Sequence, residues 1–142
     1  MELDIKSQRV DGKPLQSKAA VAQIVTDFLQ MQNQFKIFHW QTFSYSEHKA
    51  FDGIYDTLVG HVDKFLEMYM GKYGRPYAEG EFKLSLANYS DLSFLNFTNA
   101  CIGYLVSILP SLLSSYADSD LLNVRDEILG DLNKLKYLLT LH

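Results

Sequence analysis

The chain has 142 residues, 47% of them hydrophobic and 21% charged, a balance typical of one globular domain and not of a disordered chain. Its net charge of −4 argues against a general nucleic-acid binder, because such proteins normally present a basic surface. The single cysteine, Cys101, leaves no partner for an internal disulfide and rules out a Cys-x-x-Cys metal knuckle. The first residues lack the apolar core of a signal peptide, so we expect a cytoplasmic protein.

The chain divides into an N-terminal arm and one domain. Residues 1–16 are polar with mixed charges and predict an irregular N-terminal arm, whereas residues 17–142 are expected to form one domain. A first helix is predicted from Ser17, which can cap it, to about Thr42. Its apolar residues recur at every third or fourth position: Val21, Ile24, Phe28, Met31, Phe35 and Phe38.

A second helix is predicted from about Glu47 to Met70. It carries the same spacing in Phe51, Ile54, Leu58, Val62, Phe65 and Tyr69. Gly71, Gly74 and Pro76 should end it. The following residues, 71–91, are rich in glycine, tyrosine and charge, and predict a long link with a short helix near 82–87.

A third helix is predicted over 92–116, with a kink or an end to its regular part at Pro110. Residues 92–117 carry no charge over 26 positions, which is long enough to span a bilayer. Serine, asparagine and threonine interrupt this stretch, and no basic cluster flanks it. We therefore expect a helix buried on most sides, with Cys101 buried, rather than a membrane span.

A fourth helix is predicted from Ser119 to about Leu141, with inward residues Leu121, Val124, Ile128, Leu132, Leu135 and Leu139. Asp118 or Ser119 can cap its start. Surface and capping roles are expected for the acids of this region, Asp118, Asp120, Asp126 and Asp131. Strand signals are absent, so the chain should be all-α, and four helices with short first and last turns predict a four-helix bundle.

The second helix carries a stripe of potential metal ligands beside its apolar stripe. At 100° per residue, its members fall within an arc of about 100°: His48, Asp52, Asp56, Asp63 and Glu67. Asp63 and Glu67 are one turn apart and can reach one cation. Carboxylates combined with imidazole suit Fe(II), Mn(II) or Zn(II). His61 points about 160° away from Asp63, which predicts a structural or exposed residue.

Spacing decides how such a site could be assembled. His48 and Asp63 are 15 residues apart, about 22 Å along one helix, so they cannot bind the same metal within one chain. His39, at the end of the first helix, should lie near His48. If two copies pack their second helices antiparallel about a twofold axis, the histidines of one meet the carboxylates of the other.

A site inside a single bundle is the competing arrangement. It needs glutamate and Glu-x-x-His ligands from all four helices. The sequence contains no Glu-x-x-His, and it has neither a carboxylate nor a histidine between Asp91 and Asp118. We therefore favour a site between two copies.

The run from His39-Trp40 through His48, Asp52 and Asp56 to Asp63-Lys-Phe-Leu-Glu67 resembles the ferroxidase signature of the Dps-type mini-ferritins. The resemblance covers about residues 35–76, including Gly74-Arg75-Pro76, and is weaker over 117–141. It implies a ferritin-like antiparallel four-helix bundle, a twofold dimer and a hollow dodecamer. The implied chemistry is Fe(II) oxidation by peroxide or oxygen and storage of Fe(III), which protects against oxidative stress.

The resemblance also implies residue roles. His39 and His48 of one chain, with Asp63 and Glu67 of its partner, would bind iron. Asp52 matches a position that helps to hold a second, weaker iron, and Trp40 matches an aromatic residue that could donate electrons. Packing in a core or interface is the alternative role for Trp40.

Two departures from the family pattern support a different function. The His39–His48 interval is about three residues shorter than usual, and the lysine-rich tail that lets some members bind DNA is missing. DNA binding is therefore expected to be weak or absent. The alternative hypothesis is a non-catalytic structural or interaction bundle with a degenerate metal site.

Overall fold

A computed structural model describes residues 17–142, and the predicted arm of residues 1–16 lies outside them. The described residues form four α-helices and no strand, which confirms the all-α class. The helices are α1 (Lys18–Gln41), α2 (Tyr45–Tyr73), α3 (Phe94–Gly103) and α4 (Ser119–Leu138). Helix α2 packs against both α1 and α4, and α3 packs against α4.

The ends of α1 and α2 follow from their capping residues. The Ser17 hydroxyl accepts a hydrogen bond from the Ala20 amide at 3.1 Å, which confirms Ser17 as the predicted cap. The Ser44 hydroxyl caps α2 in the same way, so α2 begins two residues earlier than predicted. Gly74 ends α2 with φ +93°, a conformation that favours glycine.

One hydrophobic core joins the helices. The predicted apolar stripes of α1, α2 and α4 are confirmed, with only Val21 and Leu139 left partly buried. Six aromatic side chains below 2% exposure dominate the α1–α2 side of the core: Phe28, Phe35, Phe38, Phe51, Phe65 and Tyr69. Burial of this stripe holds α1 and α2 antiparallel and brings the end of α1 to the start of α2.

The third helix is less regular than predicted. Its α-helical part ends at Gly103 and continues as a π-helical turn, Tyr104–Ile108, and a 3₁₀ turn, Leu109–Leu112. Pro110 has no N–H to donate, so the α-helical ladder cannot continue through it. The Arg125 side chain donates a hydrogen bond of 2.9 Å to the Leu105 carbonyl inside the π turn. The predicted end near residue 116 is therefore wrong.

The expectation that this helical run is buried on most sides is also wrong. Phe94–Leu112 is long and apolar enough to cross a membrane by length and composition, and 22% of its most apolar window is buried within the single chain. One such helix is weak evidence for a membrane span, because core helices pass the same test. Val106 and Ile108 are each 54% exposed, whereas Cys101 and Leu105 face the core.

The link between α2 and α3 is irregular, and the predicted helix near 82–87 is absent. A short 3₁₀ turn, Tyr89–Asp91, precedes α3 instead. Glutamine side chains of α1 hold the end of the link by its backbone. Gln34 accepts from the Ala87 amide at 2.8 Å and donates to the Ala87 carbonyl at 2.9 Å. On either side of it, Gln30 accepts from the Ser85 amide at 3.0 Å and Gln41 accepts from the Tyr89 amide at 2.7 Å.

We expect Gln34→Ala to lower the free energy of unfolding by about 1–3 kcal/mol, because two backbone groups of Ala87 lose their partner. Gln34 is 1% exposed, so water cannot replace its amide without rearrangement. Denaturant unfolding measures the change, and hydrogen exchange at the Ala87 amide should accelerate. Gln30→Ala, which removes one exposed bond, is the matched control. Equal losses in the two variants would contradict this account.

Asp118 joins the end of α2 to the turn before α4. It occupies the N-cap position of α4, as predicted, but its side chain makes no capping bond, and the predicted surface role is wrong because the side chain is 2% exposed. Asp118 Oδ1 lies 2.9 Å from Lys72 Nζ and accepts a 2.5 Å hydrogen bond from the Tyr73 hydroxyl, while Oδ2 accepts from the Ser114 amide at 2.7 Å. Burial and the Asp118 bond raise the pKa of Tyr73, so its hydroxyl stays a donor.

Candidate metal centre

Two histidines face each other where α1 ends and α2 begins. His39 Nδ1 lies 2.8 Å from the His48 carbonyl oxygen, and His48 Nδ1 lies 2.9 Å from the His39 carbonyl oxygen. The two rings stack with centroids 3.8 Å apart and planes inclined by 19°. Each histidine therefore positions the other through a reciprocal pair of hydrogen bonds.

These bonds define the tautomer of both rings. A carbonyl oxygen only accepts, so each Nδ1 must carry the hydrogen and donate it. In the neutral ring, Nε2 then presents a lone pair, which is the form that binds metals. Histidines that bind metals almost always donate their other N–H to a carbonyl or a carboxylate, as both do here.

Helix ends explain why this arrangement forms. The last carbonyls of a helix have no partner within it, and the His39 carbonyl is one of those at the end of α1. The His48 ring supplies the missing donor. Only Thr42, Phe43 and Ser44 separate the helices, so the two rings have little freedom to move apart.

Asp52 lies on the next turn of α2, beside His39. Its Oδ1 atom is 3.9 Å from His39 Nε2 and 3.5 Å from Lys36 Nζ. Sequence reasoning missed Lys36, although its place three residues before His39 puts it on the same face of α1. Lys36 Nζ also lies 4.6 Å from the Tyr55 ring centroid and 5.7 Å from that of Trp40. The lysine supplies one positive charge next to the histidine pair.

Asp63 and Glu67 lie farther along the same unbroken helix. Both side chains are exposed, and neither forms a hydrogen bond or an ion pair with the described residues. The 15 residues between His48 and Asp63 correspond to about 22 Å along α2. Accordingly, no three histidine, cysteine, aspartate or glutamate side chains converge on one point within residues 17–142.

Aromatic side chains surround the histidine end of the molecule. Trp40 is 67% exposed, and both Phe43 and Tyr45 are exposed nearby. A core-packing role for Trp40 within one chain is therefore wrong. An interface role and a redox role both remain compatible with its position.

His61 lies on another side of α2, as its wheel position predicted. Its Nδ1 is 3.2 Å from Glu127 Oε2, and its Nε2 is 3.2 Å from Asp131 Oδ2. These contacts link α2 to α4. Because the two carboxylates lie at opposite ring nitrogens, the three groups cannot share one metal, and the arrangement supports a structural role.

Comparison with known proteins gives two matches and no structural neighbour. A family described as a family of unknown function (DUF5856) matches residues 39–139. A protein of Enterobacteria phage T4, named "Uncharacterized 14.6 kDa protein in mobD-ri intergenic region", is 46% identical over 46 residues. That alignment covers 32% of this chain and 36% of the phage protein. No solved structure gives a significant match.

Proposed function

Since the chain belongs to the DUF5856 family, for which no function is known, we propose its function from its own site: oxidation of Fe(II) at centres formed between two copies. The observation that carries the proposal is the reciprocal His39–His48 pair, which leaves both Nε2 atoms as lone-pair donors before any metal arrives. An Nε2 donor occupies one position on an iron and leaves the others open to carboxylates.

Asp63 and Glu67 supply those carboxylates from a second copy. They are exposed, one helical turn apart and not neutralised by a neighbouring cation. In an antiparallel pairing of two α2 helices, each histidine end would face the acidic segment of the other chain. Charge is compatible with this pairing, because Lys36 and Lys49 balance Glu47 and Asp52 at the histidine end, whereas Asp63 and Glu67 outnumber Lys64 in the acidic segment.

Iron is the substrate of the proposed reaction. Two Fe(II) ions each give one electron to hydrogen peroxide, which takes up two protons and becomes two waters. The histidines and the partner's carboxylates would bind and orient Fe(II), and Trp40 would supply an electron when only one iron is present. Zn(II) or Mn(II) would compete for the same donors.

We further propose that the four helices adopt the ferritin-like arrangement and that dimers assemble into a hollow dodecamer in which Fe(III) is stored. The antiparallel α1–α2 pair and its continuous apolar core support this fold. Molar mass by light scattering distinguishes a twelve-subunit shell from a dimer, which would keep the centre but have no cavity for mineral.

The activity is tested by mixing the metal-free protein anaerobically with Fe(II), adding peroxide and following ferric absorbance. We expect His39→Ala/Asp63→Ala to lower the rate at least about a hundredfold, because direct ligands matter more than their outer partners. His61→Gln, which removes a histidine outside the centre, should leave the rate close to that of the unaltered protein. Equal rates in the unaltered and double-variant proteins would refute the proposal.

A second function is favoured by one observation. Lys36 Nζ lies 3.5 Å from Asp52 Oδ1, where it repels a second cation and stabilises the carboxylate without metal. A bundle that keeps the paired helices and the exposed aromatics but binds no metal would fit this contact. Titration calorimetry at micromolar Fe(II) or Zn(II) that shows no heat, with the dimer intact, would select this non-catalytic alternative.

A further inference from the structure

A pocket of about 130 Å³ lies between α1 and the α3 run, away from the histidine pair. Asp27 and Met31 of α1 line one side, and Phe97 and Tyr104 line the other. Asp27 is 12 residues before His39, which corresponds to about 18 Å along α1. The pocket is therefore separate from the proposed iron centre.

The Tyr104 hydroxyl reaches this region beside the Asp27 carboxylate. Its oxygen is buried and makes no hydrogen bond of good geometry with any described residue, although Asp27 acts on it. A buried hydroxyl that is poorly hydrogen-bonded is costly, and a ligand or water that completes its bonding would be favourable. Tyr104 also begins the π-helical turn, an irregularity that is frequent at functional sites.

Asp27 brings a negative charge to the same pocket. Its carboxylate accepts a hydrogen bond of 2.8 Å from Gln23, but no lysine, arginine or histidine nitrogen of residues 17–142 lies within 4 Å of it. Burial, and secondarily the Asp27 charge and a hydrogen bond toward its carboxylate, raise the pKa of Tyr104, so its hydroxyl remains neutral and can donate toward Asp27. The pocket thus combines a carboxylate with no cationic partner among the described residues, a neutral hydroxyl beside it and apolar walls.

We propose that this pocket binds a small alkylammonium ion. The ammonium N–H would donate to the Asp27 carboxylate, with the Tyr104 oxygen as a second acceptor. The alkyl groups would contact Phe97 and Met31, where an aromatic ring and a polarisable thioether suit a cation. A cavity of about 150 Å³ holds benzene, so the volume of about 130 Å³ within this open pocket fits about five non-hydrogen atoms of a ligand.

Saturation-transfer NMR of the metal-free protein with trimethylammonium chloride tests the proposal, with tert-butanol as a neutral molecule of similar shape. We expect saturation of trimethylammonium only, with a dissociation constant on the order of 1 mM. Asp27→Asn should weaken binding at least about tenfold, whereas Asp126→Asn, at an exposed acid of α4, should not change it. Equal binding of tert-butanol, or unchanged binding by Asp27→Asn, would overturn the proposal.

Tyr104→Phe provides a second measurement that does not depend on finding the natural ligand. Because the hydroxyl makes no hydrogen bond of good geometry within the described residues, its removal should leave the thermal midpoint unchanged or raise it, and should weaken trimethylammonium binding. A lower midpoint together with unchanged binding would show that the hydroxyl serves the fold, through Asp27 or a bound water. That result would refute the ammonium site while leaving the iron proposal untouched.

Discussion

Two inactive variants should restore iron oxidation when they are combined. One carries His39→Ala/His48→Ala and keeps both carboxylates; the other carries Asp63→Ala/Glu67→Ala and keeps both histidines. In a mixed dimer, one of the two centres regains all four ligands and the other has none. Random pairing of equal amounts makes half of the dimers mixed, so about a quarter of all centres should be rebuilt.

The measurement is the initial rate of ferric absorbance after the two variants are unfolded, mixed and refolded together. A rate near one quarter of that of the unaltered protein is expected, and each variant refolded alone should stay near background. Mixing without unfolding controls for slow subunit exchange. Full refolding to helical dimers with no recovered rate would contradict a centre that two copies share.

Asp118→Ala should be among the most destabilising single substitutions in the chain. It removes the acceptor that the Lys72 ammonium, the Tyr73 hydroxyl and the Ser114 amide share, although Lys72 keeps its contacts with Asp120 and the Ala117 carbonyl. A buried donor that loses its acceptor typically costs about 1–3 kcal/mol, so losing the Tyr73 and Ser114 bonds together is expected to cost about 2–4 kcal/mol. Denaturant unfolding at fixed protein concentration measures the loss.

Asp120→Ala is the matched control for this prediction. Asp120 Oδ1 lies 2.7 Å from the same lysine nitrogen, yet its side chain is 48% exposed. The hydrogen bond from Lys72 lowers the pKa of Asp120, but solvent screens such pairs, and we expect a loss of about 1 kcal/mol or less. If both variants lose a similar free energy of unfolding, the burial of Asp118 is not the reason for its contribution to stability.

Sequence periodicity predicted α1, α2 and α4 because each buries a single stripe of large apolar residues. The third helix has no such contrast: residues 92–117 are uncharged on every side, so hydrophobicity alone did not show which face is buried. The π turn at Tyr104–Ile108 depends on Pro110 and on the Arg125 bond, a tertiary contact that local pattern does not contain. Burial of Asp118 was missed for the same reason.

The candidate centre was predictable in outline and not in detail. Helical spacing was enough to separate His48 from Asp63 and to place His39 near His48. The reciprocal hydrogen bonds that set both tautomers could not be predicted from residue spacing. They depend on the backbone conformation of the three-residue loop between α1 and α2. The position of Lys36, one turn before His39, could have placed it near the histidines. Its contact with Asp52 could be seen only in the structure.

The glutamine contacts of α1 have a consequence for how the chain can change in length. The α1 glutamines bind the backbone from Ser85 onward. Residues 75–84 therefore connect the end of α2 to this bound segment, and most of them are exposed. Doubling the length of a flexible loop costs only about 0.6 kcal/mol in closure entropy. An inserted peptide or tag could therefore be carried between Gly74 and Ser85 while both the histidine end and the acidic segment of α2 keep their positions.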